Sequence, residues 1–229
     1  MKRIAILQSN YIPWKGYFDI INMVDEFILY DDMQYTKRDW RNRNKIMTQH
    51  GPLWLSIPVV SKGKFYQKIN ETMVADHNWI DCHWRSIQMN YAKARYFDYY
   101  QNRIKDIYKQ CLKEDYLSQI NYKFLTEICD ILKIKTKITW SSDYHLVDGK
   151  TERLVGLVKE AEGDCYLSGP AAKDYIISEQ FKEANIQLEW MDYSGYPEYS
   201  QLGPKFEHGV SVLDLIFNEG ENARSFMKT

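Results

Sequence analysis

Two adjacent carboxylates, Asp31 and Asp32, follow the apolar run Glu26 to Tyr30, and a knot of cations comes soon after them. Paired carboxylates can hold a hard cation such as Mg²⁺, or one of them can serve as a general base. Strand alternation is expected to send one of the two toward each face, so only one need face a cleft. A capping or turn role at the strand end is the plainer alternative. Lys37, Arg38, Arg41 and Arg43 then surround Trp40, with Asn42 and Asn44 among them. Guanidinium forks and ammonium point charges suit phosphate or carboxylate groups, so a nucleotide diphosphate is the natural partner. A solvated charged face is the alternative.

Polar side chains also gather just after the first apolar run, where Gln8, Ser9, Asn10 and Tyr11 precede Pro13. Gly16 would let a backbone approach closely, and Tyr17 follows it. A helix beginning after Pro13 offers free N–H groups and the positive end of its dipole. Later, Tyr166-Leu167-Ser168-Gly169 ends another apolar run. The Ser168 hydroxyl and the N–H groups of the turn at Gly169 suit phosphate, or equally an N-cap for the next helix. The histidines His50, His77, His83, His145 and His208 are scattered, without an HxH or HExxH pattern, so no dedicated metal site is expected. His145, after a predicted strand, is the best placed of them for acid–base work, and Glu207-His208 is a further candidate.

The elements that must position these groups alternate. Strands are expected at Ile4 to Leu7 and Glu26 to Tyr30, with a helix from Trp14 to Met23 between them. Asn44 to Met47 and Trp54 to Val59 read as short strands around the turn 49–52, with Pro58 ending the second or placing it at an edge. Ile69 to Val74 reads as a further strand. Helical spacing runs from Trp79 to Ala92, from Tyr100 to Cys111 and from Leu117 to Leu132. A strand over Lys133 to Trp140, a helix over Thr151 to Ala161 capped by Asp148 or Thr151, and a strand over Cys165 to Ser168 come next. A helical stretch from Ala171, a strand over Ile186 to Met191 and a helix over Leu213 to Phe217 complete the order. Strands separated by helices predict an α/β fold with a mainly parallel open sheet, Rossmann-like or nucleotidyltransferase-like. One α/β domain over residues 1–229 is expected, with a β-rich insertion or flap at 44–78 and a helical segment at 79–133.

The bulk composition narrows the classes. The 229 residues carry 30 Lys+Arg against 31 Asp+Glu, so net charge gives no reason to expect a nucleic-acid partner. Hydrophobic residues at 45% and charged residues at 27% are ordinary for a globular protein. Cys82, Cys111, Cys129 and Cys165 form no CxxC pair, which predicts reduced thiols and a cytoplasmic location. No run reaches membrane-spanning length. Eighteen tyrosines and seven tryptophans allow aromatic stacking on a sugar or nucleotide as well as core packing.

These residues also carry a resemblance. Gln8, Asn10, Tyr11, Pro13, Trp14, Gly16, Tyr17 and Phe18, then Tyr30-Asp31-Asp32, Gln34-Tyr35, Lys37, Trp40 and Asn42-Arg43-Asn44, resemble the WbqC-like family of bacterial proteins. Tyr91-Ala92-Lys93-Ala94, Tyr96-Phe97, Tyr166-Leu167-Ser168-Gly169 and Ser211-Val212-Leu213-Asp214-Leu215 extend it along nearly the whole chain. The chain departs from the family pattern at Leu7, where relatives often have His or Met, and at Ser9, where they usually have Pro. Members are encoded among genes for O-antigen and other surface polysaccharides. The family pattern favours Lys37 and Arg43 as the inward cations. The opening turn is similar to the HxGH turn of nucleotidyltransferases and pantothenate synthetase-like ligases, but Trp14-Lys15-Gly16-Tyr17 stands there without either histidine.

Three functions follow as expectations. The first is acyl or aminoacyl transfer to the amine of a nucleotide-linked amino sugar. In it Asp31 or Asp32 accepts the proton, Gln8 with Asn42 or Asn44 polarises the carbonyl, and Lys37, Arg43 and the Ser168-Gly169 turn hold phosphates. The second is nucleotidyl transfer or ATP-dependent amide ligation, with Mg²⁺ or ATP required only there. The third is a non-catalytic nucleotide-sugar-binding protein. The expected partner in each case is a nucleotide sugar or other anionic small molecule, with a homodimer as a further expectation.

Overall fold

A computed structural model describes residues 1–228. The first strand, β1 (Arg3–Leu7), leads through a loop into α1 (Lys15–Asn22) and back into β2 (Glu26–Leu29). The chain then leaves the sheet for a ribbon, β3 (Arg43–Thr48) and β4 (Gly51–Ser56), paired antiparallel with Lys45 opposite Trp54. Three helices follow, α2 (Asn78–Tyr91), α3 (Phe97–Gln110) and α4 (Leu117–Ile131). The α/β alternation resumes with β5 (Lys137–Trp140), α5 (Thr151–Glu160), β6 (Cys165–Ser168), α6 (Ser178–Glu183), β7 (Gln187–Trp190) and α7 (Val212–Glu219).

The main sheet has five strands in the order β5-β2-β1-β6-β7, every pairing parallel, which is a Rossmann-like α/β arrangement. The chain builds outward from β1 through β2 to β5, then returns to the other side of β1 for β6 and β7. The topological switch therefore lies between β1 and β6, where Ile4 pairs with Tyr166. Alternation sends Ile4, Ile6 and Ile28 to a face covered by Leu154, Leu157 and Val158 of α5 and Phe181 of α6. Ala5, Phe27 and Leu29 face the larger core of α1, α2, α3, α4 and α7. Burial of strands on both faces is why they read as continuous apolar runs.

Several boundaries differ from the sequence expectation. Ile69 to Val74 is not a strand. A 3₁₀ turn occupies Ile69–Glu71, because Glu71 accepts the Lys68 N–H at 3.0 Å and the Thr72 hydroxyl bonds the Lys68 carbonyl at 2.8 Å. Only isolated bridges remain there, Val59 to Val74 and Met73 to Tyr116. The strand expected from Lys133 begins at Lys137, since Lys133 adopts φ 58° and the Ile134 N–H closes the end of α4 on the Cys129 carbonyl at 2.8 Å. β4 starts at Gly51, where φ of 104° favours glycine, and stops at Ser56 before Pro58. The first residue before α5 is Lys150, without a side-chain cap, and the Thr151 hydroxyl instead accepts the Ile177 N–H at 3.1 Å.

One buried charge anchors the opposite edge of the sheet. Glu26 is fully buried at the start of β2. Burial alone would raise its carboxyl, but hydrogen bonds from Tyr144, Lys2, Lys137 and Thr139 outweigh it and pull the group down to about 2. Lys2 lies 2.9 Å from it, Lys137 3.1 Å and the Thr139 hydroxyl 2.9 Å. These contacts tie β2 to β5 and to the amino terminus. Glu26→Ala strands several donors, and urea unfolding should show a loss of about 2–3 kcal/mol. Stability from this group is present above the ordinary carboxylate range and is lost as pH falls through about 2.

Candidate functional site

β2 ends at Leu29, so the paired carboxylates lie past the strand in a turn. Strand alternation no longer governs them there, and both line one cavity rather than opposite faces. This cavity, about 230 Å³, opens at the carboxyl ends of β2 and β5. Its walls are Asp31, Asp32, Asn70, Tyr116, Ser118, Gln119, Trp140, Ser141 and Ser142. Ligands of open parallel sheets bind outside the carboxyl ends of the strands at the topological switch. This cavity shares that end of the sheet but lies at β2 and β5, beside the β1–β6 switch rather than at it.

Asp31 is buried, with 1% of its surface exposed. Its Oδ1 accepts the Ser9 N–H at 2.7 Å, and its Oδ2 accepts the Ser118 hydroxyl in the first turn of α4. Burial raises its pKa, against the lowering effect of these hydrogen bonds and of the nearby Arg41. Asp32 accepts from the Ser141 hydroxyl at 2.5 Å and from Asn70 Nδ2 at 3.3 Å, with Lys68 Nζ at 3.8 Å. The Asn70 Oδ1 is buried without a hydrogen-bond partner. The two carboxylates give the cavity negative charge and Asn70 Oδ1 is an acceptor left open, which suits a ligand bearing ammonium and hydroxyl donors. Two carboxylates would repel a phosphate placed there.

The remaining expected residues divide. Gln8 is half-buried, and its carbonyl accepts the Tyr17 hydroxyl at 2.8 Å. Asn10 Oδ1 accepts from Arg41, which also reaches the Gln8 and Ser9 carbonyls at 3.4 Å. Asn42 and Asn44 brace backbone. Asn42 Nδ2 bonds the Ile57 carbonyl at 2.8 Å, and Asn44 Nδ2 bonds the Tyr11 and Ile12 carbonyls at 3.1 and 3.0 Å. The Asn44 staple holds Ile12 at φ 36°, a conformation that β-branched residues avoid. Gly16 makes room for its neighbour, since a Cβ there would fall 2.4 Å from the Trp14 ring. Lys37 is exposed. Trp40 and Arg43 sit on the ribbon, where Arg43 lies 4.3 Å over the Trp54 ring and bonds the Arg38 carbonyl.

Ser168 and Gly169 end β6, on the far side of β1 from the cavity, and do not line it. The Ser168 hydroxyl is buried beside the Tyr166 hydroxyl at 3.4 Å. His145 is exposed beyond the cavity-lining Ser141 and Ser142, and its N–H bonds Glu160 at 2.7 Å. His208 lies partly buried near Lys15, with its Nδ1 unpartnered. Among the described residues no group of three or more His, Cys, Asp or Glu side chains is placed to hold a metal ion. The cysteines are free, and burial pushes the Cys111 and Cys129 thiols up to about 12.

Sequence reasoning did not single out Ser118, Asn121, Asn70, Trp140 or Ser141. Asn121 is fully buried and bonds the Ser9 hydroxyl and the Arg41 carbonyl, each at 2.9 Å. The helical period marks Ser118 and Asn121 as polar residues on the buried face of α4, and that was the available signal. A larger cavity of about 420 Å³ lies among Tyr99, Arg103, Asp130, Lys133 and Glu221. Arg103 is already bonded there to Asp130 at 2.5 Å and Glu127 at 3.2 Å, and none of the expected residues reaches it.

The chain matches the WbqC-like protein family over residues 8–226. The chain belongs to that family. It is also 49% identical, over 100% of its length and 98% of the other chain, to the uncharacterized protein Rv1507c of Mycobacterium tuberculosis. No solved structure matches it. In this WbqC-like chain, no helix among the described residues is long and apolar enough to cross a membrane.

Tyr11 is buried in the helical layer rather than at the cavity. Its hydroxyl lies 2.7 Å from Tyr108 Oη and 2.9 Å from His83 Nδ1. Burial pulls the His83 imidazole down to about 4, against the raising effect of a backbone hydrogen bond at Ser56, so it is held neutral. The unfolded chain, whose histidine titrates near 6.5, takes up the proton first as pH falls. Stability from this group is therefore full above pH 6.5 and declines toward pH 4, by about 3 kcal/mol across the window. Denaturant unfolding between pH 7.5 and 4 measures the decline, and His83→Phe should flatten it.

Proposed function

We propose that this WbqC-like protein is a transferase that places an acyl or aminoacyl group on the amine of a nucleotide-linked amino sugar, in the assembly of surface polysaccharide. The observation that carries the reading is the acceptor-lined cavity at the sheet edge. A protonated amine is drawn to the charge of Asp31 and Asp32, and a ring hydroxyl satisfies the orphaned Asn70 Oδ1. Trp140 and Tyr116 offer apolar faces to a sugar ring. The volume of about 230 Å³ is below that of most sites for a whole cofactor-sized ligand, so the sugar end enters and the nucleotide stays outside.

In this scheme the bound ammonium first gives a proton to a carboxylate. The neutral amine nitrogen then attacks the carbonyl of the acyl thioester, the C–S bond breaks, and the thiolate leaves with the second amine proton as a free thiol. Asp31 suits the proton-accepting role, because burial raises its proton affinity while Ser9 and Ser118 fix its orientation. Asp32, oriented by Ser141 and Asn70, grips the substrate. Arg41, bonded to Asn10 beside the first strand end, adds positive charge near the developing oxyanion.

Incubation with amino sugars linked to UDP, dTDP or GDP, together with acyl thioesters, tests the reading by mass spectrometry of amide product. Asp31→Asn should lower turnover by roughly 10²–10⁴-fold, and Asp32→Asn should act mainly on KM. The acid limb of the rate profile should lie above the ordinary carboxylate range, because deprotonated Asp31 is the active form. Turnover unaltered in folded Asp31→Asn protein would remove the carboxylate from the mechanism. Thermal stabilisation by the same sugars without any turnover would favour a binding protein.

A further inference from the structure

The cationic ribbon carries a surface that the cavity does not use. On β3 and β4, Asn44, Ile46 and Leu55 turn inward and are buried, while Arg43, Lys45 and Trp54 lie on the other face. Trp40 packs on Trp54 with ring centroids 5.3 Å apart and planes 35° from parallel. Both indoles stay open to solvent, at 41% and 43% exposure. Lys45 Nζ lies 6.0 and 5.9 Å from the two rings. Arg43 backs Trp54 and bonds the Arg38 carbonyl, which Arg38 presents from φ 61°. Exposed Lys37 and Arg38 complete the charge. The acidic groups nearby are engaged: Asp39 bonds Thr36 at 2.7 Å and pairs with Arg41 at 3.6 Å, and Glu207 lies 4.0 Å from Lys45.

An exposed indole pair with Arg43 and Lys45 against it, and exposed Lys37 and Arg38 close by in sequence, fits a flat aromatic group that carries negative charge. We propose that the Trp40–Trp54 pair stacks the base of a nucleoside diphosphate, and that Lys37, Arg38 and Lys45 neutralise its phosphates. This inference rests on the transferase reading, whose sugar end it leaves in the acceptor-lined cavity. The two places are linked by one side chain. Arg41 follows Trp40 directly and reaches the Ser9 carbonyl at 3.4 Å, while the Ser9 N–H bonds Asp31 at 2.7 Å. Positive charge holds the phosphates at the ribbon, and the carboxylates exclude them from the cavity.

Calorimetric titration with UDP, GDP and dTDP, without any sugar, tests the ribbon alone. At least one should bind, and Trp40→Ala and Trp54→Ala should each weaken it roughly tenfold or more, as loss of base stacking does. Both side chains are exposed, and thermal unfolding verifies that the variants remain folded. The corresponding nucleoside should bind more weakly, and added salt should weaken the diphosphate most. Removal of an exposed cation elsewhere, Lys182→Ala on α6, should leave diphosphate affinity unchanged. Diphosphate binding that ignores both tryptophan variants overturns the assignment, as does failure of all three diphosphates to bind. Binding of neutral maltohexaose in their place, lost in Trp54→Ala, gives the face to a glycan and also overturns it. Amide formation dependent on Asp31, seen in any of these cases, would leave the transferase reading standing.

Discussion

The carboxylate of Asp31 is the constraint on which the functional edge depends. It reaches the end of β1 through the Ser9 N–H and the first turn of α4 through the Ser118 hydroxyl. Its own carbonyl accepts the Asn70 N–H at 3.0 Å, which draws in the 3₁₀ turn after the ribbon. Asn121 then binds Ser9 to the Arg41 carbonyl, and Arg41 binds Asn10. A buried anion is costly unless its lone pairs are met, and here the partners come from segments far apart in sequence. The same hydrogen bonds thus hold the helical layer to the sheet and shape the cavity. The amino end of α4 adds a favourable dipole at the same carboxylate.

Charge is sorted spatially around that anchor. Of the cations that follow the paired carboxylates in sequence, Arg41 turns toward the strand end and is used in holding it, while Arg43 is laid over an indole. The asparagines between them are used on backbone carbonyls. What remains is an acceptor-rich recess on one side and a cation-bearing aromatic ribbon on the other. A ligand with an amine at one end and phosphates at the other matches both. A free phosphate matches only the ribbon.

The α/β order, the parallel sheet and most of its strands were legible because each strand is buried on both faces and reads as an apolar run. The ribbon was legible through its turn and through Pro58. The strand expected over 69–74 was not, because local side-chain hydrogen bonds from Glu71 and Thr72 override a weak alternation. Asp31 and Asp32 were legible as chemistry but not as geometry, since their joint orientation follows from the strand stopping at Leu29. Tyr11 shows the opposite failure. A polar tip on a large ring looks equally suited to a ligand or to the core, and only the helical layer supplies the His83 and Tyr108 partners that settle it. Ser168 and the cavity share a sheet edge, yet β1 stands between them, a separation fixed by strand order alone.

Lys15 is not free to meet an anion at the opening turn. A lysine beginning the helix after the first strand would be a natural anion ligand. Here it is buried, with Nζ bonded to the Pro197 carbonyl at 3.0 Å and lying 4.9 and 5.2 Å over the Tyr196 and Tyr199 rings. Burial lowers it to about 8, against the opposing pull of Asp19 and Asp214. Those aromatic rings come from the segment after β7, which is pinned to α1 by the Tyr196 hydroxyl on Asp19 at 2.6 Å and to α7 by the Tyr199 hydroxyl on Asp214 at 2.7 Å. The segment thus covers the helix start that an open sheet usually leaves for phosphate. That place is filled by the chain itself, whereas Lys37 and Arg38 before Trp40 stay exposed and Arg43 and Lys45 on the ribbon stay partly exposed.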